Sequence, residues 1–261
     1  MKTRVISAIV VLAVLIPLLM IGGIPFAIGV GLISLLAYKE VIDLKEDLPF
    51  IVRIMGIISL LLLVYMTFDG YSLSFGISYK AVSLSMILLL LPAVFMGKEY
   101  TTRNAFYLMG FILLLGTFFN SLILIVNLNK LLLVYLLLIT IMTDTFAMII
   151  GNLIGRHKMI PSVSPKKSWE GALMGALMGT AIASMFYINI INTDINLLRI
   201  VGVTLILSIM GQLGDLIFSK IKRENNIKDF SNIMPGHGGI LDRLDSIILV
   251  VLTFTIIFNI L

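Results

Sequence analysis

Asp144, Asp215, Asp242 and Asp245 are the residues of this chain best suited to chemistry. Three of them fall in one polar stretch, 215–245, which also carries Asp229, Lys220, Lys222, Arg223, Lys228 and Arg243. A Pro-Gly-His-Gly-Gly turn, residues 235–239, lies inside it. Carboxylates hold a hard divalent cation, and Mg²⁺ takes only a few of them before completing its shell with substrate phosphates. Lysine and arginine hold phosphates, and glycines let backbone come close to a ligand. The combination points to phosphate chemistry.

Spacing adds detail. Asp242 and Asp245 are three apart and share a face if helical. Each would also interact favourably with a helix N-terminus, by under about 1 kcal/mol, but that gives no reason for Arg243 and the glycine turn beside them. Asp144 sits in YLLLITIMTDTFAMIIGNLIG, about eleven residues from the nearer end of an apolar segment, or roughly 16 Å at 1.5 Å per residue. A carboxylate at that depth is a functional candidate by default, although a hydrogen bond from Thr143 or Thr145 would also account for it. A second polar cluster, Ser164-Pro165-Lys166-Lys167-Ser168-Trp169-Glu170-Gly171, suits a polyphosphate. Taken alone it fits equally well as basic residues flanking a span, with a tryptophan at the interface. His237 has the weakest claim, as a phosphate contact or proton donor. His157 reads as a juxtamembrane polar residue.

The elements that position these groups are apolar. Of 261 residues, 59% are hydrophobic and 13% charged, about half the charge content of a soluble domain. Mean hydropathy is +1.11. This predicts an all-α polytopic integral membrane protein. There is no cysteine, which excludes disulfides and thiolate metal sites. A net charge of +5 without a basic patch outside short loops argues against nucleic acid.

Nine apolar segments are long enough to span, at about 5–22, 24–41, 51–67, 80–97, 104–126, 130–154, 170–190, 197–219 and 244–261. The first two are joined at Gly22-Gly23 and would also fit a re-entrant hairpin. Residues 5–20 are expected to be a retained helix rather than a cleaved signal peptide, for want of a small-x-small site. Pro17 and Pro92 should kink their spans. With these spans, 16 of the 19 Lys and Arg fall on one side, so the N-terminus and the loops 155–169 and 220–243 are expected to be cytoplasmic and the C-terminus outside. Residues 1–129 read as a transmembrane scaffold and 130–261 as the catalytic region. Gly171, Gly175 and Gly179, and Gly151 with Gly155, read as helix-packing faces, which would also permit a homodimer.

The order Ser219-x-Ile221-Lys222-Arg223, Lys228-Asp229-x-Ser231, and Pro235-x-His237-Gly238-Gly239-Ile240-x-Asp242-Arg243-Leu244-Asp245 resembles the signature of the phosphatidate cytidylyltransferases, or CDP-diacylglycerol synthases. Met234 departs from it by an apolar exchange. The Ser164–Gly171 cluster and the Asp144 span also look like family elements. Residues 1–130 resemble the family only as hydrophobic spans. The resemblance implies that CTP and phosphatidic acid give CDP-diacylglycerol and pyrophosphate with Mg²⁺, in phospholipid biosynthesis at the cell (inner) membrane, with the active site facing the cytoplasm.

On that basis Asp215 and Asp242 are the expected metal ligands, with Asp245 and Asp144 serving a second cation or an outer shell. Lys166, Lys167, Ser168, Lys222, Arg223, Lys228, Arg243, His237, Gly238 and Gly239 would hold phosphates. The absence of an evident nucleophile–base pair agrees, because a lipid phosphate is already ionised at neutral pH. Two other readings keep some of these features. A polyprenol kinase or an archaeal-type lipid cytidylyltransferase would share the metal–phosphate logic with a different lipid. A cation-coupled transporter would use Asp144 and Asp215 for its ion, but leaves the charged loop without a purpose and normally shows two related halves.

Overall fold

The computed structural model describes residues 13, 16–45, 48–65, 79–234 and 238–258. The expected span 5–22 therefore lies mostly outside the described residues, as do His237 and the end of the last span.

Among the described residues, eight helices follow one another: α1 (Gly23–Asp43), α2 (Phe50–Tyr65), α3 (Tyr79–Phe95), α4 (Thr102–Leu128), α5 (Lys130–Ile154), α6 (Trp169–Phe186), α7 (Leu197–Glu224) and α8 (Leu241–Ile257). A π-helical turn, Tyr187–Ile191, prolongs α6. Five of these, α1, α4, α5, α6 with its π turn, and α7, are long and apolar enough to cross a membrane; α2 and α3 are shorter apolar helices. Helix α8 has 17 residues. The protein is thus a nearly all-α membrane protein. Many large apolar side chains, among them Leu153, Leu173, Leu198 and Phe95, point outward, which suits a surface solvated by lipid. Pro92 lies inside α3.

One departure from the all-helical expectation is a small antiparallel hairpin, β1 (Lys158–Ile160) with β2 (Ser164–Ser168), between α5 and α6. Its base is tied down by His157, whose Nδ1 lies 2.6 Å from Glu170 Oε1 and whose backbone N–H donates to the same carboxylate. His157 therefore has a definite structural partner that its sequence neighbourhood did not announce.

The chain divides into two compact units, residues 1–127 with 229–241 and residues 128–228 with 242–261. In the first unit, aromatic hydroxyls lie against glycines and reach backbone carbonyls. Tyr65 donates to Ala27 O at 2.8 Å beside Gly31, and Tyr38 to Arg53 O at 3.3 Å beside Gly56. Asn120 donates to Val64 O at 2.8 Å. Such bonds hold helices together where lipid supplies no hydrophobic drive.

In the second unit α5 and α6 are almost in backbone contact. A Cβ on Gly171 would lie 2.5 Å from Ala147 O, and one on Gly175 would lie 2.6 Å from Thr143 O and 2.7 Å from Ala147 Cβ. The expected glycine packing face is present and is used within the chain. Hydroxyl pairs join α5 to α7: Tyr135 with Thr204 at 2.7 Å and Thr143 with Ser208 at 2.6 Å. Gly175→Val should force α5 and α6 apart. The expected cost is about 1–3 kcal/mol, visible as a lower unfolding midpoint in detergent; an unchanged midpoint would contradict this packing.

Candidate active site

The second unit gathers most of the candidate residues. Helix α5 supplies Asp144, the hairpin supplies Lys166 and Lys167, α7 supplies Asp215, Lys222 and Arg223, and α8 supplies Asp242 and Asp245. Local sequence explains the convergence. Ser168 caps α6, accepting from Gly171 N at 3.2 Å, so the helix starts at Trp169, two residues after Lys167. Gly214 brings α7 against α8: a Cβ there would lie 2.5 Å from Asp245 O. Asp215 follows directly and is thereby held beside Asp245.

A cavity of about 570 Å³ opens in this unit, lined by Asp144, Asn152, Lys158, Lys166, Lys167, Gln212 and Asp215 among others. At its wall Lys167 Nζ meets Asp215 Oδ2 at 2.5 Å, both side chains about a quarter exposed. The same ammonium donates to Gln212 O at 3.4 Å. Ser219 Oγ donates to Asp215 Oδ1 at 3.1 Å, and Ser246 Oγ donates to Asp144 Oδ2 at 3.2 Å. Asp245 accepts from Ser246 N at 2.8 Å. Asp144 and Asp245 both lie close enough to Asp215 to feel its charge, with Lys167 partly offsetting it at Asp144 and Lys222 at Asp245.

Asp242 is arranged differently. Its carboxylate bonds Lys222 Nζ at 2.7 Å, with side chains only 5% and 10% exposed. The structure thus groups Asp215 with Asp144 and Asp245, and gives Asp242 a buried lysine. Ser168 is buried and engaged as a helix cap. Arg223 donates to Val163 O at 3.4 Å and to Ile227 O at 3.2 Å, joining α7 to the hairpin. Lys166, Lys228 and Arg243 are exposed. Gly238 adopts φ +82°, a left-handed conformation that favours glycine, and Met234 N donates to its carbonyl at 3.1 Å.

Among the described residues, no three acidic or histidine side chains stand close enough to cage a metal by themselves. The donor set nevertheless fits Mg²⁺. It consists of hard oxygens, its like charges repel in a way that a cation would relieve, and Mg²⁺ habitually keeps waters and substrate phosphates in its shell. Two contributors, Gln212 and Ser246, went unremarked in the sequence, and Ser219 stood out there only as part of the family signature. Gln212 was detectable as an amide inside an apolar span. Ser219 and Ser246 are common residues whose roles emerge only from helix packing.

A model of the cytidylyltransferase family matches residues 2–261. A phosphatidate cytidylyltransferase of Bacillus subtilis (strain 168) is 34% identical over 260 residues, covering 96% of this chain and 94% of that protein. Phosphatidate cytidylyltransferases of Staphylococcus haemolyticus (strain JCSC1435) and Staphylococcus aureus (strain COL) are each 32% identical over 252 residues, covering 96% of both chains.

Proposed function

The chain belongs to the cytidylyltransferase family, and from that premise we propose that it is a phosphatidate cytidylyltransferase, joining CTP and phosphatidic acid to give CDP-diacylglycerol and pyrophosphate. The observation that carries this reading is the convergence of Asp144, Asp215 and Lys167 on one cavity at the end of apolar helices. A phosphate oxygen of the lipid attacks the α-phosphorus of CTP. The bond from that phosphorus to the oxygen bridging to the β-phosphate breaks, and pyrophosphate carries that oxygen away. The attacking oxygen is already an anion, so this chain need not remove a proton. Its residues hold two polyanions in line and balance their charge.

Lys167 and Lys166, which line the cavity, would hold the triphosphate or the lipid headgroup. Asp144, Asp215 and Asp245 would hold Mg²⁺, with Asp242 kept in place by Lys222. When bound, the cation neutralises phosphate charge. A site on the cytoplasmic face of the cell membrane, as the one-sided distribution of Lys and Arg supports, lets CTP arrive from water while acyl chains stay in lipid. Purified protein in detergent should release pyrophosphate only when CTP, phosphatidic acid and Mg²⁺ are all present. Release without phosphatidic acid, or none with all three, would refute the reading.

A further inference from the structure

We propose that Glu40, near the end of α1, is a positioning residue for the reaction, holding Ser231 and residues 239–241 and with them the start of α8. Its neighbours Lys39 and Asp43 are exposed, whereas Glu40 is fully buried. A carboxylate without contact with water must find donors within the protein. Glu40 meets donors about 200 residues away along the chain. Ser231 Oγ donates to Oε1 at 2.6 Å, Ile240 N to Oε1 at 2.7 Å, and Leu241 N to Oε2 at 2.8 Å.

Leu241 opens α8, so its N–H is one of the donors that a helix start leaves without an internal partner. Glu40 supplies the acceptor from another helix, with the charge sign that a helix N-terminus favours. Gly239 gives independent support: a Cβ there would lie 2.5 Å from Glu40 Oε1 and 2.8 Å from Oε2. Glycine at 239 therefore lets the loop close over the carboxylate, whatever else it does. Asp242 follows Leu241 directly and Asp245 lies one turn on, so the anchored residues fix where α8 begins. This role rests on the proposed function, in which α8's acidic turn serves the phosphates.

The test compares Glu40→Gln with Ser231→Ala. The amide keeps the shape but turns an NH₂ towards a group that now donates. Expected for Glu40→Gln is a kcat lower by about 10- to 100-fold, the scale seen when outer hydrogen-bond partners of a site are lost. The KM for CTP should change little, and the amides of residues 240 and 241 should exchange hydrogen faster. Ser231→Ala, which removes one donor, should shift both readouts the same way by less. A purely structural Glu40 would lower the yield of folded protein and leave kcat per folded molecule unchanged; that result, or unaltered exchange at 240 and 241, overturns the proposal. If the unmutated chain makes no CDP-lipid, the functional reading fails separately, and the exchange data alone then decide whether Glu40 holds the loop.

Discussion

Asp215→Asn should reduce CTP-dependent turnover by at least about 10²-fold, the scale of losing one preorganised charge-stabilising group, while leaving the protein folded. The substitution keeps the shape of the side chain and the hydrogen bond from Ser219, 3.1 Å away. It removes the charge that meets Lys167 and that Asp144 and Asp245 both feel. A partly exposed pair contributes little to folding, so the unfolding midpoint in detergent should barely move. Steady-state turnover at saturating CTP and phosphatidic acid checks the prediction. Near-normal turnover in Asp215→Asn would remove Asp215 from the site.

The second large effect falls on stability. Lys222 and Asp242 form an ion pair almost without exposure, and breaking such a pair from one side typically costs about 3–5 kcal/mol, because a charge is left buried beside an apolar replacement. Lys222→Met should therefore lower the unfolding midpoint clearly. The double replacement Lys222→Met with Asp242→Leu, which removes both charges, should recover much of that loss without recovering activity. If Lys222→Met is as stable as the parent, the pair is not the buried anchor the structure depicts. If the double variant turns over normally, Asp242 has no part in the reaction.

These two outcomes differ because Asp215 and Asp242 sit in different surroundings, which the sequence does not reveal. Sequence spacing treats them alike, as acidic residues at two helix ends facing the same side. The helical, membrane-embedded character of the chain was readable from apolar runs, because each run must satisfy its own backbone in lipid. The glycine packing faces were readable too, since glycines every fourth residue let helices approach closely, but not which helices they join. The cluster of Asp144 with the 215–245 stretch was foreseeable in its members but not in its pairings. Whether an aspartate faces a lysine, a serine or another aspartate depends on rotations of helices far apart in sequence. Glu40 was unreadable for the same reason: in AYKEVIDLKED it is one of several charges at a helix end, and only Ser231 and residues 239–241 make it distinct. The hairpin after α5 escaped notice because Lys158–Ile160 and Ser164–Ser168 are too short and polar to show alternation.

The central claim is cytidylyl transfer to a phosphate-bearing lipid, and paired labelling of CTP tests it most directly. Purified protein is incubated with phosphatidic acid and Mg²⁺, once with CTP labelled at the α-phosphate and once at the γ-phosphate. The α-label should enter the lipid fraction and the γ-label should leave in pyrophosphate. Label from the γ-position in lipid would indicate a kinase, and label from neither would leave the site without the activity proposed for it.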